Sequence, residues 1–413
     1  MRVLVTAWAW SSHHLPLVPM LWALRSQGHE VYVASQPALR RAVTDAGAVF
    51  VQAGQDVDHA GLRRRYMNGL AHVDVPEAPP PGASATHWSR EQREKVARVF
   101  GVFAARADLM ADATLDFARS WRPDLVMYEP TSYAGPLTAA ALGVPAVRHI
   151  HGVDLTYQAR ELVPALLAPT ARRLGLDGVD ILGDATVDPC PPGLQIPAEV
   201  NRLPVRYVPY NGPAVLPDWT RSDGGPWART PSGRPRICLT WGATTSDLGG
   251  KESFLPPRAV AALDGLDAEI VVAVGARDRE RFGPVPDNVR VVSGVALHHL
   301  LPSCSALIHQ GGFGSTLTGL HYGVPQLVLA QLPDQVFAAQ RLAAAGAGSV
   351  LTRAEFSAEA VRTRVEDLLH APGHRAAALS LSREMRAQPS PADLVPALER
   401  LAAAVPAPTR GVT

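Results

Sequence analysis

The N-terminal half of the chain alternates short apolar runs with segments of helical spacing. The run RVLVTA predicts a buried strand, and apolar residues then recur on one helix face up to Gly28, where we expect that helix to end. Further strands are predicted from EVYVA, AVFVQ, PDLVMY and PAVRHI, with a helix from Ser132 to Leu142 between the last two. This alternation predicts a parallel, doubly wound α/β sheet.

A second series of the same kind follows a segment dense in proline, glycine and charge, which predicts a linker. Its strands are predicted from ICLTWG, AEIVVAV, VRVVS, ALIH and QLVLA. We therefore predict an N-terminal domain over residues 1–212, a linker over 213–234 and a C-terminal domain over 235–389. A Pro-Ser-Pro break precedes a last helix within 390–413, which we expect to return to the first domain.

Two stretches, about 53–103 and 151–204, interrupt the alternation of strands and helices. The first is rich in proline and charge and contains Tyr66 and Trp88. Both stretches are open to two interpretations. They are plain surface insertions, or they are walls of a substrate pocket, because ligands of doubly wound folds bind at the carboxyl ends of strands, where insertions collect.

Composition narrows the class of function. The 413 residues, 47% of them hydrophobic, are enough to bury two cores. A formal net charge of +1 without a long basic run argues against nucleic acid or an anionic membrane as a partner. All basic residues except Lys95 and Lys251 are arginine, which indicates a GC-rich bacterial genome, as in actinobacteria.

Cysteine usage and hydropathy indicate the compartment. The three cysteines are far apart and lack metal-ligand spacing, so neither a disulfide framework nor a structural zinc site is predicted. The N-terminus lacks the features of a signal peptide, and no apolar run approaches ~18 residues. We therefore expect a soluble, cytoplasmic protein.

Residues 305–335, SALIHQGGFGSTLTGLHYGVPQLVLAQLPDQ, combine a strand, a glycine-rich turn and a helix start. A helix start presents backbone N–H groups and a positive dipole end, which suit a phosphate, and glycine allows a ligand to approach closely. Ser315 and Thr316 add hydroxyl groups. The spacing is neither GxGxxG nor GxxxxGKS, and a purely structural tight turn is the alternative.

Asp334 and Gln335 follow the next predicted strand at its carboxyl end, so we expect them beside the glycine turn. Asp334 is either an acceptor for sugar hydroxyl groups or an N-cap of the following helix. The residues alone do not favour one role.

This stretch resembles the donor-binding segment of bacterial natural-product glycosyltransferases, which attach nucleotide-activated deoxysugars to polyketide antibiotics. The family pattern His-His-Gly-Gly-x-Gly-Thr-Thr, Gly-Val-Pro-Gln, Asp-Gln stands here as HQGGFGST at 309–316, GVPQ at 323–326 and DQ at 334–335. The similarity continues through SHHLPLVPMLWALRSQGHEV, PDLVMYEPTSYAGPLTAAALGVP, CPPGLQ, ICLTWG and NVRVVSGVALHHLLPSCSALIHQGG. It implies the glycosyltransferase-B fold: two Rossmann-like domains facing a cleft, the first for the acceptor and the second for the nucleotide sugar.

The resemblance also implies the donor-binding residues. For the diphosphate they are His309, Gln310, Gly311, Gly312, Gly314, Ser315 and Thr316. For the nucleoside they are Trp241, Gly242, Val295 and Ala296, and for the sugar Asp334 and Gln335. The family has a second histidine where this chain has Gln310, whose amide can donate a hydrogen bond but cannot be charged. The alternative to a contact from Gln310 is that His309 turns inward toward the diphosphate. His298 and His299 either reach the nucleotide or are surface residues.

On the acceptor side, the resemblance places the catalytic base three residues before Pro16, at His13. An imidazole there can remove a proton from an acceptor hydroxyl group. Glu129 matches the acidic position after the fourth predicted strand and is expected to orient the base, the alternative being a glutamate that points to solvent. The predicted acceptor-binding residues are Trp10, His14, Tyr66 and Trp88.

The resulting hypothesis is an inverting glycosyltransferase that moves a sugar, expected to be a dTDP-linked deoxysugar, to a polyketide-type acceptor in antibiotic biosynthesis. No metal and no cofactor are implied, because backbone donors and a helix dipole would stabilise the leaving diphosphate. The alternatives are a nucleotide-sugar epimerase of the same fold and a non-catalytic auxiliary binding protein. Transfer to oxygen or carbon, a homodimer, and an auxiliary protein partner stay open.

Overall fold

The computed structural model describes residues 1–58, 61, 88–215, 233–242 and 253–404. The chain divides into two compact units. Unit 1 comprises Met1–Cys190, Gln195–Val208 and Gln388–Thr413, and unit 2 comprises Pro191–Leu194 and Pro209–Ala387. The predicted acceptor residue Tyr66 and most of the predicted linker lie outside the described residues.

A seven-stranded sheet forms the centre of unit 1. Its strands are β1 (Arg2–Thr6), β2 (Glu30–Ser35), β3 (Val49–Gln52), β4 (Leu125–Tyr128), β5 (Ala146–His149), β6 (Ala185–Asp188) and β7 (Arg202–Pro204). The order is β3-β2-β1-β4-β5-β6-β7, with every pair parallel. The chain switches sides of β1 between β3 and β4, so the switch point of this doubly wound sheet lies between β1 and β4.

Helices cover both faces of this sheet. They are α1 (Ser11–His14), α2 (Val18–Ser26), α3 (Arg40–Asp45), α4 (Arg90–Trp121), α5 (Ala134–Leu142), α6 (Leu155–Gln158) and α7 (Val163–Arg173). On one face Val3 and Val5 pack with Leu21 of α2. On the other face Leu4 packs with Met110 of α4. Strands buried on both faces read as continuous apolar runs, which is why the sequence pattern located them.

The structure corrects the sequence pattern in three places. Residues 90–103 are not irregular but belong to the 32-residue helix α4, whose start carries a capping box between Ser89 and Gln92. The stretch 151–204 is not mainly loop, because it contains α6, α7, β6 and β7. Helix α5 begins at Ala134, two residues after the predicted Ser132.

A six-stranded sheet forms the centre of unit 2. Its strands are β8 (Arg236–Thr240), β9 (Glu269–Ala273), β10 (Val289–Val292), β11 (Ala306–His309), β12 (Gln326–Ala330) and β13 (Gly348–Thr352). The order is β10-β9-β8-β11-β12-β13, again with parallel pairs. Its switch point therefore lies between β8 and β11. The predicted fold class, with two doubly wound sheets, is confirmed.

The helices of unit 2 connect these strands and extend beyond them. They are α8 (Pro256–Ala262), α9 (Ala276–Arg279), α10 (Leu297–Leu300), α11 (Phe313–His321), α12 (Pro333–Ala344), α13 (Ala358–His370) and α14 (Pro372–Ala387).

The last described helix, α15 (Pro391–Ala404), belongs to unit 1. The predicted Pro-Ser-Pro break is confirmed, since α14 ends at Ala387 and α15 begins at Pro391. Leu394, Val395 and Leu398 join the apolar cluster of β1 and α2. No helix among the described residues is long and apolar enough to cross a bilayer.

Candidate active site

The predicted base and its predicted partner meet at the switch point of unit 1. His13 lies on α1, shortly after β1, and Glu129 directly follows the neighbouring strand β4. The imidazole Nδ1 of His13 lies 2.7 Å from Oε1 of Glu129. The alternative of a solvent-pointing glutamate is wrong, because Glu129 is fully buried.

The surroundings of Glu129 keep it ionised. The hydroxyl group of Thr131 donates to the carboxylate, with distances of 2.8 and 2.9 Å to its two oxygens, and accepts a hydrogen bond from Nε1 of Trp8 at 2.9 Å. Burial raises the pKa of Glu129, but the charge and hydrogen bond of His13, with smaller contributions from His151 and Thr131, bring the pKa below its ordinary value. An ionised carboxylate can only accept, so Nδ1 of His13 carries the proton and donates to Glu129, and Nε2 is left as the basic nitrogen.

Aromatic rings contact the imidazole of His13. The ring centroid of Trp8 lies 4.5 Å from it, and the ring of His151 lies 5.1 Å away at an interplanar angle of 70°. The His13 side chain keeps 19% of its surface exposed, so a small molecule can reach it. The ring is therefore held by protein contacts and yet accessible, as a general base must be.

His151 is a member of this cluster that the sequence analysis missed. It lies two residues after β5, which pairs with β4, so three neighbouring strands β1, β4 and β5 lead to His13, Glu129 and His151. The rule that ligands of doubly wound folds bind at the carboxyl ends of strands could have indicated His151. Potential ligand atoms of the three residues all lie within 4.8 Å of one another, a set of two histidines and one carboxylate that could hold a divalent transition metal.

Arg106 of α4 was also missed. Its guanidinium carbon lies 4.0 Å from the ring centroid of Trp8, and the side chain is 5% exposed. Burial lowers the pKa of Arg106 to about 10 while the charge of Glu129 raises it, so the side chain stays cationic at neutral pH. An arginine within a long amphipathic helix carries no local signal of such a position.

The predicted acceptor-binding residues are placed differently from one another. Trp10 is half-buried, with its ring centroid 5.1 Å from that of Trp8. Trp88 is buried. His14 is a correction, because it is fully buried, and burial lowers its pKa to about 4. Its imidazole forms part of the interior and presents no surface to an acceptor.

The glycine-rich turn of unit 2 lies at the second switch point. Gly311 has φ +100°, and a Cβ there would lie 2.9 Å from Cβ of Gln335, so both backbone angle and space require glycine. Helix α11 begins after Gly312, and no side chain caps it. Open space surrounds the Cβ direction of Gly314. A ligand can therefore approach the positive end of this helix.

The side chain of Gln310, directly after β11, lies between the backbone of Gly242, which follows β8, and that of Gly312. A Cβ on Gly242 would be 2.4 Å from its Nε2, and one on Gly312 would be 3.0 Å from it. The side chain is 4% exposed, and its buried Oε1 has no hydrogen-bond partner among the described residues. A buried amide oxygen without a donor is costly, so Oε1 suits a ligand that donates a hydrogen bond, whereas Nε2 is the atom of this amide that can donate to a phosphate.

His309 is a correction to the predicted diphosphate set. Its Nε2 lies 2.8 Å from Oε1 of Gln326, and its Nδ1 accepts a hydrogen bond from the backbone N–H of Gly311 at 3.0 Å. Burial lowers its pKa to about 4. Both ring nitrogens are engaged within the protein, so His309 shapes the turn and has no nitrogen left for a phosphate.

The two hydroxyl residues of the turn differ in availability. Thr316 is buried, and its hydroxyl group donates to the carbonyl oxygen of Gly312 at 3.1 Å. Ser315 is half-buried and has no side-chain hydrogen bond within the described part of the chain. Ser315 is thus the hydroxyl group that the turn offers to a ligand.

The predicted nucleoside and sugar residues lie around the same sheet edge. Ala296 is the N-cap of α10 and is buried, while Val295 is half-buried. Trp241 packs its ring in the apolar core against Phe254, so its side chain is a core residue. Its neighbour Gly242 instead provides close backbone contact with Gln310.

The remaining predictions concern residues beside α10 and α12. The half-buried His298 is bonded through its backbone N–H and its ring to Oδ1 of Asn211. The N-cap alternative for Asp334 is wrong, because Leu332 is the N-cap of α12 and Asp334 is an exposed residue of its first turn. The amide oxygen of Gln335 accepts hydrogen bonds from the backbone of Gln331 and Leu332, so it also holds the turn before α12.

Comparison with known proteins identifies the family. Two domain models described as erythromycin biosynthesis protein CIII-like, N-terminal and C-terminal, match residues 22–242 and 258–401. The chain belongs to this family. It is 38% identical over 430 residues to the 10-deoxymethynolide desosaminyltransferase of Streptomyces venezuelae, covering 98% of this chain and 97% of the relative. It is 36% identical over 434 residues to the aklavinone 7-beta-L-rhodosaminyltransferase of Streptomyces galilaeus, covering 98% and 96%.

Solved structures of similar proteins share the fold. The glycosyltransferase VinC in complex with dTDP is 32% identical, with a TM-score of 0.79, over 98% of this chain and 100% of that chain. The spinosyn rhamnosyltransferase SpnG complexed with spinosyn aglycone is also 32% identical, with a TM-score of 0.80, over 97% and 100%. The protein is a glycosyltransferase of the GT-B fold, and its relatives are deoxysugar transferases of antibiotic biosynthesis. The predicted family, fold and enzyme class are confirmed.

Proposed function

We propose that this CIII-like protein transfers a deoxysugar from a dTDP-linked donor to a polyketide-type aglycone, with inversion at the anomeric carbon. The observation that carries the proposal is the bonded pair of His13 and Glu129 at the switch point of unit 1. The names of the relatives given above include the aglycones 10-deoxymethynolide and aklavinone. The solved structures given above contain dTDP or an aglycone.

In this mechanism His13 is the general base. Glu129 holds Nδ1 and its proton, so Nε2 takes the proton of the acceptor hydroxyl group as the oxygen attacks the anomeric carbon. The positive charge that develops on the imidazole is balanced by the buried carboxylate of Glu129. The bond to the diphosphate breaks on the opposite face of the sugar, which accounts for inversion.

The start of α11 is the proposed diphosphate site. Its dipole, the Ser315 hydroxyl group and the Gln310 amide would hold the leaving diphosphate. Neutral donors and a helix dipole would thus perform the task that a metal ion performs elsewhere, so we propose transfer without a metal. The three cysteines are free and buried, which suits the cytoplasmic location that we propose.

The test is a transfer assay with the purified full chain, a panel of dTDP-deoxysugars, and macrolide and aromatic polyketide aglycones. We expect product only when donor and acceptor are both present, and loss of product with His13→Ala. Conversion of the donor sugar without an acceptor would indicate an epimerase. Tight dTDP binding without turnover for any pair would indicate a binding protein.

Binding of nucleotides tests the donor half separately. We expect isothermal titration to show dTDP binding more tightly than ADP, with weaker dTDP binding in Ser315→Ala. Thr316→Ala is the matched comparison, because the Thr316 hydroxyl group already donates to the carbonyl oxygen of Gly312. An equal effect of both substitutions would contradict the assignment of Ser315.

A further inference from the structure

His151 has no role in the mechanism proposed above, although it lies against the base. It follows β5 as Glu129 follows β4, and these strands pair in parallel. Its ring meets that of His13 at 5.1 Å and 70°, an edge-to-face contact. A half-buried histidine beside a base is either an incidental neighbour or part of the base's support.

The geometry favours support. The bond from Nδ1 of His13 to Glu129 fixes one ring atom, and a ring held by one hydrogen bond can still tilt about that bond. Trp8 packs at 4.5 Å with its plane inclined by 48°, and His151 packs at a different inclination of 70°. Two aromatic contacts at different inclinations restrict the tilt that the hydrogen bond allows, so removal of either one loosens the direction of Nε2.

The charges of the cluster are consistent with this role. Burial, together with the charge of His13, lowers the pKa of His151 to about 3, although Glu129 opposes the shift. His151 therefore stays neutral and adds no second positive charge beside a protonated His13. Within the described part of unit 1, the carboxylate of Glu129 and the guanidinium of Arg106 over Trp8 are charged groups of this site. His149, which interacts with His151, is also neutral, because burial lowers its pKa to about 4.

We propose that His151 is a positioning residue for His13, which keeps the imidazole in the orientation that Glu129 sets and directs Nε2 toward the acceptor. This inference rests on the proposed role of His13 as the base. It assigns to His151 an action through His13 and no contact with the reacting atoms.

Kinetics of three variants test the proposal. For His151→Ala we expect kcat to fall about tenfold, since small misplacement of a catalytic group costs up to ~100-fold, while the KM for the nucleotide sugar stays unchanged. His151→Phe keeps a ring of similar size and should recover most of kcat. The control is His370→Ala, which removes an exposed histidine of α13 and should leave both constants unchanged.

Two kinetic outcomes would overturn the proposal. Unchanged kcat in His151→Ala would make His151 an incidental neighbour. A rise in acceptor KM that is equal in His151→Ala and His151→Phe would show that the His151 imidazole binds the acceptor directly. Thermal unfolding of each variant shows whether a lost activity is only a lost fold.

A second measurement needs no turnover and so separates this proposal from the proposed function. In protein with ¹⁵N-labelled histidine, long-range proton–nitrogen spectra report the tautomer of each ring, and His13→Ala assigns the signal. We expect the proton on Nδ1 of His13 in every variant, because Glu129 sets that tautomer, and broadened His13 ring signals in His151→Ala but not in His151→Phe, because only the alanine frees the ring to tilt. An unchanged His13 signal in His151→Ala would refute positioning, even if no donor and acceptor pair is ever found to react.

Discussion

The Nδ1 atom of His13 lies 2.7 Å from Oε1 of Glu129, although 116 positions separate the two residues in the chain. The contact forms because β1 and β4 are neighbours in the sheet and both side chains follow the carboxyl ends of their strands. In the His13 imidazole, Nδ1 is therefore bonded to Glu129 and Nε2 is available.

Replacement of Glu129 by glutamine should keep the shape of the residue 129 side chain but impair the proposed base His13. The amide keeps a hydrogen-bonding group near His13 but loses the charge that balances a protonated imidazole, so kcat should fall about 10²- to 10⁴-fold. The measurement is steady-state transfer by Glu129→Gln. Asp124→Asn is the control, since the Asp124 carboxylate accepts its hydrogen bond from the exposed backbone N–H of Arg2. Wild-type kcat in Glu129→Gln would contradict the proposed role.

Replacement of Gln310 by histidine should make donor binding depend more strongly on pH. The neutral amide cannot gain charge, whereas a histidine beside the diphosphate would be protonated below its ordinary pKa near ~6.5 and would bind the anion through a charge-assisted bond. At about pH 6 we expect roughly tenfold tighter dTDP binding in Gln310→His than in the wild type, with the difference shrinking by about pH 8.

Titration calorimetry at several pH values measures the dTDP affinity of both proteins. Protonation of dTDP itself affects both affinities equally, so it cancels in their ratio. Gln310→Ala, which lacks both the amide and the imidazole, should bind dTDP more weakly than the wild type at every pH. A constant ratio of wild-type to Gln310→His affinity across the pH range would show that residue 310 does not contact the diphosphate.

Acidification should destabilise the fold through buried neutral histidines. Burial lowers the pKa values of His14, His149 and His309 to about 4 and that of His151 to about 3. Groups with a depressed folded-state pKa stabilise the fold above the unfolded pKa of ~6.5, and this contribution is lost as pH falls toward the folded value. Asp188, whose pKa burial raises to about 6, acts in the opposite sense.

Urea unfolding at about pH 7 and pH 5 measures this loss, which should reach ~2 kcal/mol per buried histidine in the free energy of unfolding. His14→Phe should reduce the difference between the two pH values, because neither ring nitrogen of His14 has a hydrogen-bond partner among the described residues. A variant with the full wild-type pH dependence would show that His14 is not buried in its neutral form.

Added zinc should inhibit transfer, whereas a chelator should have no effect. EDTA should leave the rate unchanged if helix and side-chain donors alone support the diphosphate. Added Zn²⁺ should inhibit, because His13, Glu129 and His151 can ligate it together and the base would then be occupied. Initial rates with increasing Zn²⁺ measure this. Inhibition that persists unchanged in His151→Ala would place the metal elsewhere.

Alanine at Gly311 should destabilise unit 2. The residue has φ +100°, and the added methyl group would also crowd Gln335, so we expect a loss of about 1–3 kcal/mol in the free energy of unfolding. Gly314→Ala is the matched comparison, since open space surrounds it and its φ is not positive. Equal stability of the two variants in urea unfolding would contradict the assigned backbone requirement.

Local pattern was sufficient for much of the fold. Most of the strands β1 to β5 and β8 to β12 are buried on both faces, and all of them are short apolar runs, so the sequence pattern located them and their order implied two parallel sheets. Pattern failed where its signals were weak. The short strands β6 and β7 and the final strand β13 were missed, and the start of α4 was taken for an irregular stretch despite the capping box of Ser89 and Gln92.

Sequence by itself determined the two doubly wound sheets, the glycine-rich helix start and, with the family resemblance, His13 and Glu129. Only the tertiary structure decided which side chains meet there. It brought His151 to His13 and Arg106 to Trp8, and it closed His14 and His309 inside the protein, because strand order and helix packing join residues that are distant in the chain. Residue type and spacing describe what a side chain can do, whereas burial and partners determine what it is free to do.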